Sequence, residues 1–233
     1  MQAQTPGWYG KLSMLGDFAS RRVDPDWVAG CDRWLSAGLL ASRQRLGEHW
    51  LPRYLAAPLW RFAWAPGVVD TRWWFGILMP SCDQVGRYYP LVVAAARAQA
   101  PCDRFGLDHL ELWWDQVARA ALATLADGAT VDAFEAALHD APPWPGATPL
   151  PPAPDLAAVL PAGGARIAVT AGTPLARLVH GIAAAQLVQQ LAGTSVWWAQ
   201  PAAPAAHAEP GHCTIVRGLP QPESFAELLF AQT

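Results

Sequence analysis

Apolar residues near helical spacing outline the helices of this chain. Asp24 and Pro25 form a helix start, and apolar side chains then recur as far as Leu46. The same spacing predicts further helices at residues 49–57, 107–126, 131–139, 173–191 and 224–231. Pro52 is compatible with the helix at 49–57, because a helix tolerates proline in its first turn.

Apolar runs bounded by glycine, proline or serine predict the strands. They occupy residues 7–12, 59–65, 72–79, 88–97, 165–170, 194–199 and 213–219. The runs at 59–65 and 72–79 predict a hairpin. Toward the C-terminus a strand, a helix and a strand alternate, which favours a layered α/β sheet.

A proline-rich segment interrupts this pattern. Residues 141–163 hold eight of the 22 prolines, so they predict a linker or a long surface loop. A chain of 233 residues is long enough to bury a core of its own. We therefore expect a single domain over residues 1–233, with the loop at about 141–164 between a larger N-terminal part and a C-terminal β-α-β-β-α part.

Composition and charge exclude several classes of protein. Hydrophobic residues make up 52% of the chain and charged residues only 15%, which rules out a disordered chain. A net charge of −3 provides no basic field for nucleic acid. No apolar run approaches membrane-spanning length, and the first ten residues lack the features of a secretory signal, so we expect a cytoplasmic protein. Isolated buried thiols in a reducing cytosol then best explain the four scattered cysteines.

The sequence matches none of the catalytic or metal-binding motifs that we tested. Gly10 and Lys11 lack the other residues of a phosphate-binding loop, and no serine lies in a nucleophile elbow. His207, His212 and Cys213 form the one metal-like cluster, and their spacing fits no zinc pattern. We therefore expect no catalytic residue, no cofactor and no metal.

A polar segment at residues 81–90 lies between two predicted buried strands, where loops often carry function. Asp83 could pair with Arg87 or cap the amides of Val85 or Gly86. Arg87 could instead present its guanidinium to a partner carboxylate. A structural connection and a binding loop both fit, and a small hydrolase or transferase using Ser81, Asp83 and a distant histidine is a further alternative.

The turn that contains Gly16, Asp17 and Phe18 is also compatible with either a structural role or a role in binding a partner. Glycine permits a tight turn, and an aspartate hydrogen-bonds the backbone that follows it. Phe18 would anchor the turn in the core. Together with Arg21 and Arg22, the turn also offers a small charged rim at which a partner could dock.

Several separated motifs, all in one order, resemble the TagF family of type VI secretion-associated proteins. They are Tyr9-Gly10-Lys11-Leu12, Gly16-Asp17-Phe18 with Arg21 or Arg22, Pro80-Ser81-x-Asp83-x-Val85-Gly86-Arg87-Tyr88-x-Pro90-Leu91, Trp197-Trp198, and the terminal Arg217-Gly218-Leu219-Pro220-x-x-x-x-Phe225-x-x-Leu228-Leu229. The similarity covers nearly the whole chain except residues 127–164. Ser13 departs from the family pattern, which has proline at that position.

The resemblance implies a fold, a function and a partner. The implied fold is α/β, a three-layer α/β/α sandwich around a mixed β-sheet. The implied function is negative post-translational regulation of type VI secretion in the cytoplasm, by binding the forkhead-associated (FHA) scaffold protein of the system. A structural accessory subunit of the secretion apparatus is an alternative role.

The family has no established active site, so the resemblance carries over signature positions rather than catalytic residues. We expect some of these positions to contact the partner. They are Lys11, Gly16, Asp17, Phe18, Arg21, Ser81, Asp83, Gly86, Arg87, Trp197 and Trp198.

Overall fold

Seven strands form one sheet in the computed structural model, which describes residues 5–143, 156, 160–161, 163–164, 166, 168–200 and 213–229. The strands are β1 (Gly7–Gly10), β2 (Ala19–Arg21), β3 (Leu59–Trp64), β4 (Trp73–Met79), β5 (Leu91–Arg97), β6 (Thr194–Gln200) and β7 (Cys213–Arg217). Their spatial order is β2-β1-β5-β4-β3-β6-β7. The helices are α1 (Pro25–Leu46), α2 (Trp50–Leu55), α3 (Arg104–Ala123), α4 (Val131–His139), α5 (Leu175–Leu191) and α6 (Phe225–Leu229).

Helices cover both faces of the sheet, which confirms the expected α/β class and its layered arrangement. One core lies between the sheet and α1, α2 and α6, and a second lies between the sheet and α3 and α4. Every residue of β4 is buried because the strand contributes to both cores. Trp74 and Leu78 face α1, whereas Phe75 and Ile77 face α3, as the two-residue period of a strand requires.

The sheet corrects one part of the expectation, because all pairings among its described strands are antiparallel rather than mixed. Short connections join β3 to β4 and β4 to β5, and such connections suit antiparallel neighbours. The helices before β6 lead it back beside β3 in the antiparallel direction. The alternation of helices and strands therefore did not indicate strand direction.

Local signals explain where the helices begin. The Asp103 carboxylate accepts a hydrogen bond from the Gly106 amide at 2.7 Å, and the Thr130 hydroxyl accepts one from the Ala133 amide at 3.1 Å. Each bond satisfies an amide that the first helical turn leaves without a partner. Apolar spacing had predicted these helices at 107–126 and 131–139, so α4 has its expected bounds, whereas α3 begins earlier, at Arg104, where Asp103 caps it.

One predicted strand is corrected, and one predicted loop lies mostly outside the described residues. Arg166 and residues 168–170, the described part of the strand expected at 165–170, are exposed and form no strand. Apolar composition alone cannot make a strand where no neighbouring strand supplies hydrogen bonds. The loop expected at about 141–164 falls largely outside the described residues.

Two glycines of α1 allow a matched test of how α6 packs on α1. A Cβ at Gly38 would lie 2.4 Å from the Phe225 ring, whereas a Cβ at Gly30 would meet nothing within 4 Å. We expect Gly30→Ala to raise the free energy of unfolding by about 0.5–1 kcal/mol, because alanine favours a helix. Gly38→Ala should lower it by about 1–3 kcal/mol through overpacking. Urea denaturation measures both changes, and equal effects would contradict this packing.

Candidate partner-binding site

Two loops meet at one end of the sheet. The first follows β1 over residues 11–18, and the second joins β4 to β5 over residues 80–90. Gly10 at the end of β1 lies opposite Leu91 at the start of β5, so both loops leave the sheet at the same edge. Gly10 has φ 136°, and a Cβ there would come within 2.1 Å of the Pro90 carbonyl oxygen. Only glycine therefore allows this close approach.

A buried ion pair joins the two loops. Lys11 Nζ lies 2.7 Å from Asp83 Oδ2, and both side chains are almost fully removed from solvent. A buried charge is tolerated only where a partner and further hydrogen bonds compensate it. Lys11 and Asp83 are thus positioned beneath the surface, where they hold the loops together and do not reach a partner.

Asp83 also organises the loop to which it belongs. Its Oδ1 accepts hydrogen bonds from the amides of Val85 at 3.1 Å and Arg87 at 2.9 Å, and its Oδ2 accepts one from Arg87 Nε at 2.6 Å. Gly86 has φ 80°, and its amide donates to the Asp83 carbonyl at 3.0 Å. The pairing with Arg87 and the cap on Val85 that the sequence allowed are therefore both present.

Two further hydrogen bonds connect the loops directly. Arg87 Nη2 donates to the Gly16 carbonyl at 2.5 Å, and the Gln84 amide donates to the Leu15 carbonyl at 2.8 Å. The exposed residues of the two loops form one continuous region, which we call the two-loop surface. It comprises Gly16, Asp17, Phe18, Gln84, Val85, Gly86 and Arg87.

The charges of this site are fixed by its hydrogen bonds. Burial by itself would raise the pKa of Asp83, but the hydrogen bonds from Lys11 and Arg87 hold that pKa well below its ordinary value. Asp83 is therefore ionised at neutral pH. Lys11, Asp83 and Arg87 together leave one positive charge at Arg87, whose side chain is exposed, and the exposed Asp17 carboxylate adds one negative charge to the same surface.

Phe18 is held in place although its side chain is 45% exposed. The Phe18 ring packs edge-on against the Tyr89 ring, with 4.7 Å between the two ring centroids. Lys11 Nζ lies 4.8 Å from the centroid of the Phe18 ring. The Asp17 carboxylate accepts a hydrogen bond from the Phe18 amide at 2.8 Å. The two-loop surface thus presents a fixed aromatic ring, Val85 with an exposure of 71%, and a cationic group. Phe18 therefore does not anchor the turn in the core as expected.

Ser81 does not have the surroundings of a nucleophile. Its hydroxyl donates to the Lys11 carbonyl at 2.8 Å, and Tyr54 hydrogen-bonds its backbone. Among the described residues, no histidine is hydrogen-bonded to Ser81 or Asp83. A nearby shallow pocket, which Tyr54, Trp60 and Leu78 help to line, is apolar, and neither side chain lines it. Ser81 instead fixes the first residue of its loop.

The other signature residues lie outside the two-loop surface. Arg21 lies on β2, and its Nη1 atom is 3.8 Å from Glu135 Oε1. The neighbouring Arg22 pairs with the same carboxylate, with 2.6 Å between Nη1 and Oε2. Trp197 is fully buried in the core on the α1 side. Trp198 faces the opposite side of the sheet and is partly exposed. The structure therefore brings together only part of the expected set.

Sequence reasoning missed the support beneath Phe18. The hydroxyls of Tyr9 and Tyr89 both donate to Asp32 Oδ1, at 2.6 Å and 2.9 Å. Asp32 belongs to α1 and lies far from both tyrosines in sequence. No sequence pattern links these residues, although Tyr9 belongs to one family motif and Tyr89 stands at an unspecified position of another.

The remaining expectations concern cysteines, metals and membranes. Cys31 is buried, but Cys82 and Cys102 are partly exposed and Cys213 is exposed, which corrects the expectation of buried thiols. The described residues include no cluster of metal-ligand side chains, and His207 and His212 lie outside them. In the described part of the chain, every helix is too short or too polar to span a bilayer.

Comparison with known proteins assigns this arrangement to a class. The crystal structure of PA0076 from Pseudomonas aeruginosa PAO1 matches with a TM-score of 0.73 and 33% sequence identity, over 98% of this chain and 95% of that one. The TagF N-terminal domain, described as type VI secretion system-associated, matches residues 7–141. No curated protein matches the sequence. The chain belongs to the TagF family of type VI secretion system-associated proteins.

The buried carboxylate predicts how stability depends on pH. Because folding lowers the pKa of Asp83, its ion pair stabilises the protein fully above the unfolded-state pKa of about 3.9. This stabilisation is lost as the pH falls toward the folded-state pKa. We expect Asp83→Asn to lower the melting temperature at pH 7, and we expect the difference from the wild type to shrink below a pH of about 4.

Thermal melts of the wild type, Asp83→Asn and Asp127→Asn between neutral and acidic pH measure this effect. Asp127 is an exposed aspartate after α3 and serves as the control, so its variant should follow the wild type. A difference for Asp83→Asn that stays constant down to acidic pH would contradict the role given to its charge.

Proposed function

We propose that this protein is a cytoplasmic, non-enzymatic regulator that represses type VI secretion after translation, by binding the FHA scaffold protein of the system through the two-loop surface. Membership of a type VI secretion system-associated family supports the setting. The observation that carries the site is the fixed, exposed group formed by Phe18, Val85 and Arg87 above a buried ion pair.

The composition of this surface suits protein recognition. Aromatic residues and arginine are enriched where partners bind, and they contribute most when they lie near the centre of an interface. The loops are already ordered by the Asp83 hydrogen bonds, so binding would lose little conformational freedom. A preorganised surface is therefore available without folding on contact.

The same geometry argues against catalysis at these residues. The Ser81 hydroxyl is bonded to a backbone carbonyl, and the Asp83 carboxylate is occupied by Lys11 and Arg87. A general base needs a free lone pair within reach of the proton that it removes. A stoichiometric binder needs no such group, so repression by occupying the scaffold is the simpler mechanism.

We also propose that the chain acts as one TagF-like unit rather than as two independent parts. Strand β3 pairs with β6 along the whole length of β3, and β7 extends the same sheet beyond β6. Phe225 of α6 packs into the core beneath α1. The C-terminal elements therefore share both the sheet and the core with the elements of the N-terminal part.

A binding measurement with surface variants tests the proposed function. The purified FHA protein encoded with the same secretion system is titrated with the wild type, Val85→Asp, Phe18→Ala and Ile215→Asp. Val85 and Ile215 are both highly exposed, so neither change should alter the core. We expect Val85→Asp and Phe18→Ala to raise the Kd about tenfold or more, and Ile215→Asp, on β7, to leave it unchanged.

Two outcomes would contradict the proposal. Equal affinities for all four proteins would remove the two-loop surface from the interface. An absence of binding by the wild type would remove the FHA protein as the partner. Asp83→Ala is unsuitable for this test, because the buried carboxylate holds the loop and its loss would disturb the fold.

A further inference from the structure

Phe18 takes its orientation from three neighbouring side chains. Its ring lies nearly parallel to the Tyr9 ring, with an interplanar angle of 13° and 6.1 Å between the two centroids. The Tyr89 ring meets it edge-on, with an interplanar angle of 85°. The ammonium group of Lys11 lies over the same ring. The direction in which Phe18 faces a partner therefore depends on what holds these neighbours in place.

The two tyrosines are held by Asp32, a residue of α1 that belongs to neither loop. Asp32 Oδ1 accepts the hydroxyl hydrogen bonds of Tyr9 at 2.6 Å and Tyr89 at 2.9 Å. A tyrosine ring that is bonded at its hydroxyl end cannot swing without stretching that bond beyond its normal length. Asp32 therefore fixes the far ends of both rings against which Phe18 packs.

Both tyrosine hydroxyls remain donors at neutral pH. Burial, and then the hydrogen bond to Asp32, raises the pKa of the Tyr9 hydroxyl above its ordinary value. Burial, and then the contact with Tyr9, raises the pKa of the Tyr89 hydroxyl in the same direction. Each tyrosine is only 5% exposed, so solvent has little access to the bonds that Asp32 accepts.

We propose that Asp32 is a positioning residue of the two-loop surface: by holding the two tyrosines, it sets the orientation in which Phe18 meets a protein partner. Asp32 acts through the aromatic rings and does not itself touch the partner. Its effect on binding rests on the proposed function, whereas its effect on Phe18 is a property of the free protein. The preorganisation that favours binding then extends from the loops to α1.

Nuclear magnetic resonance of the free protein tests the effect on Phe18. The phenylalanine rings are labelled with carbon-13, and the Phe18 signal is the one that Phe18→Ala removes. Ring currents of the two tyrosines shift this signal for as long as the three rings keep their arrangement. We expect Asp32→Ala to lose about half of that shift or more. Asp32→Asn should restore it, because the amide oxygen still accepts both hydroxyl bonds.

A double-mutant cycle with the FHA protein tests the effect on binding. Asp32→Ala should raise the Kd about three- to tenfold, the range expected when one side chain at an interface loses its order. The same change in a Phe18→Ala protein should have no further effect, because the ring that Asp32 positions is already absent. A direct contact between Asp32 and the partner would instead keep its full effect in that background.

Two further variants separate positioning from a general loss of stability. Thr130→Ala removes the cap of α4 on the other face of the sheet, so it should lower the melting temperature and leave both the Phe18 signal and the Kd unchanged. Tyr89→Phe keeps the ring and removes its hydroxyl, so it should change both in the same direction as Asp32→Ala. Tyr89→Phe keeps the test decisive if Asp32→Ala does not fold.

Two results would overturn the inference. One is a Phe18 signal that neither Asp32→Ala nor Tyr89→Phe changes. The other is an effect of Asp32→Ala on the Kd that persists in full when residue 18 is already alanine. An absence of binding by the wild type would contradict the proposed function alone, and the spectra of the free protein would then decide whether Asp32 positions Phe18.

Discussion

The buried contact between Lys11 and Asp83 is the interaction on which the site depends. It joins the end of β1 to the loop between β4 and β5, two segments that are far apart in the chain. Removing one partner would leave a charge in a dry environment, which is far more costly than losing an exposed pair. The ion pair therefore constrains both loops to one arrangement.

The arrangement has a consequence for function. The Asp83 carboxylate, which the sequence suggested as a partner contact, is instead bonded to Lys11 and Arg87. Arg87 donates hydrogen bonds through Nε and Nη2, and the rest of its side chain stays exposed. Phe18 and Val85 then supply the apolar part of the surface, with 45% and 71% of their side chains exposed. This combination is suited to holding a protein partner, whereas chemistry on a small molecule requires a concave site with free polar groups.

The sheet presents two regions of different character. At the edge where β1 and β4 end, two loops whose cations Lys11 and Arg87 are matched by the anions Asp17 and Asp83 form the two-loop surface. On the face of β6 and β7, exposed apolar side chains lie beside the carboxylates of α3. The two regions therefore differ in their side chains, and the first is formed by loops that a buried ion pair joins.

The sequence alone determined most of the elements and the motifs, although β2 was not predicted. The start of α1 at Pro25, the presence of α3 and α4 and the hairpin of β3 and β4 follow from local periodicity, a first-turn proline and turn residues, which act between near neighbours in the chain. The motif residues around Lys11 and Asp83 were also visible in the sequence. Neither strand direction nor the absence of a strand at 165–170 could be found in this way, because both depend on which strand lies alongside.

The tertiary structure decided which motif residues are exposed. Asp83 is buried and Val85 is exposed, although both lie in the same polar loop. Trp197 is in the core and its neighbour Trp198 is partly exposed, because successive side chains of a strand point to opposite faces of the sheet and Trp197 points toward the core beneath α1. Burial depends on what packs against a residue from elsewhere in the chain, and local sequence contains no record of that contact.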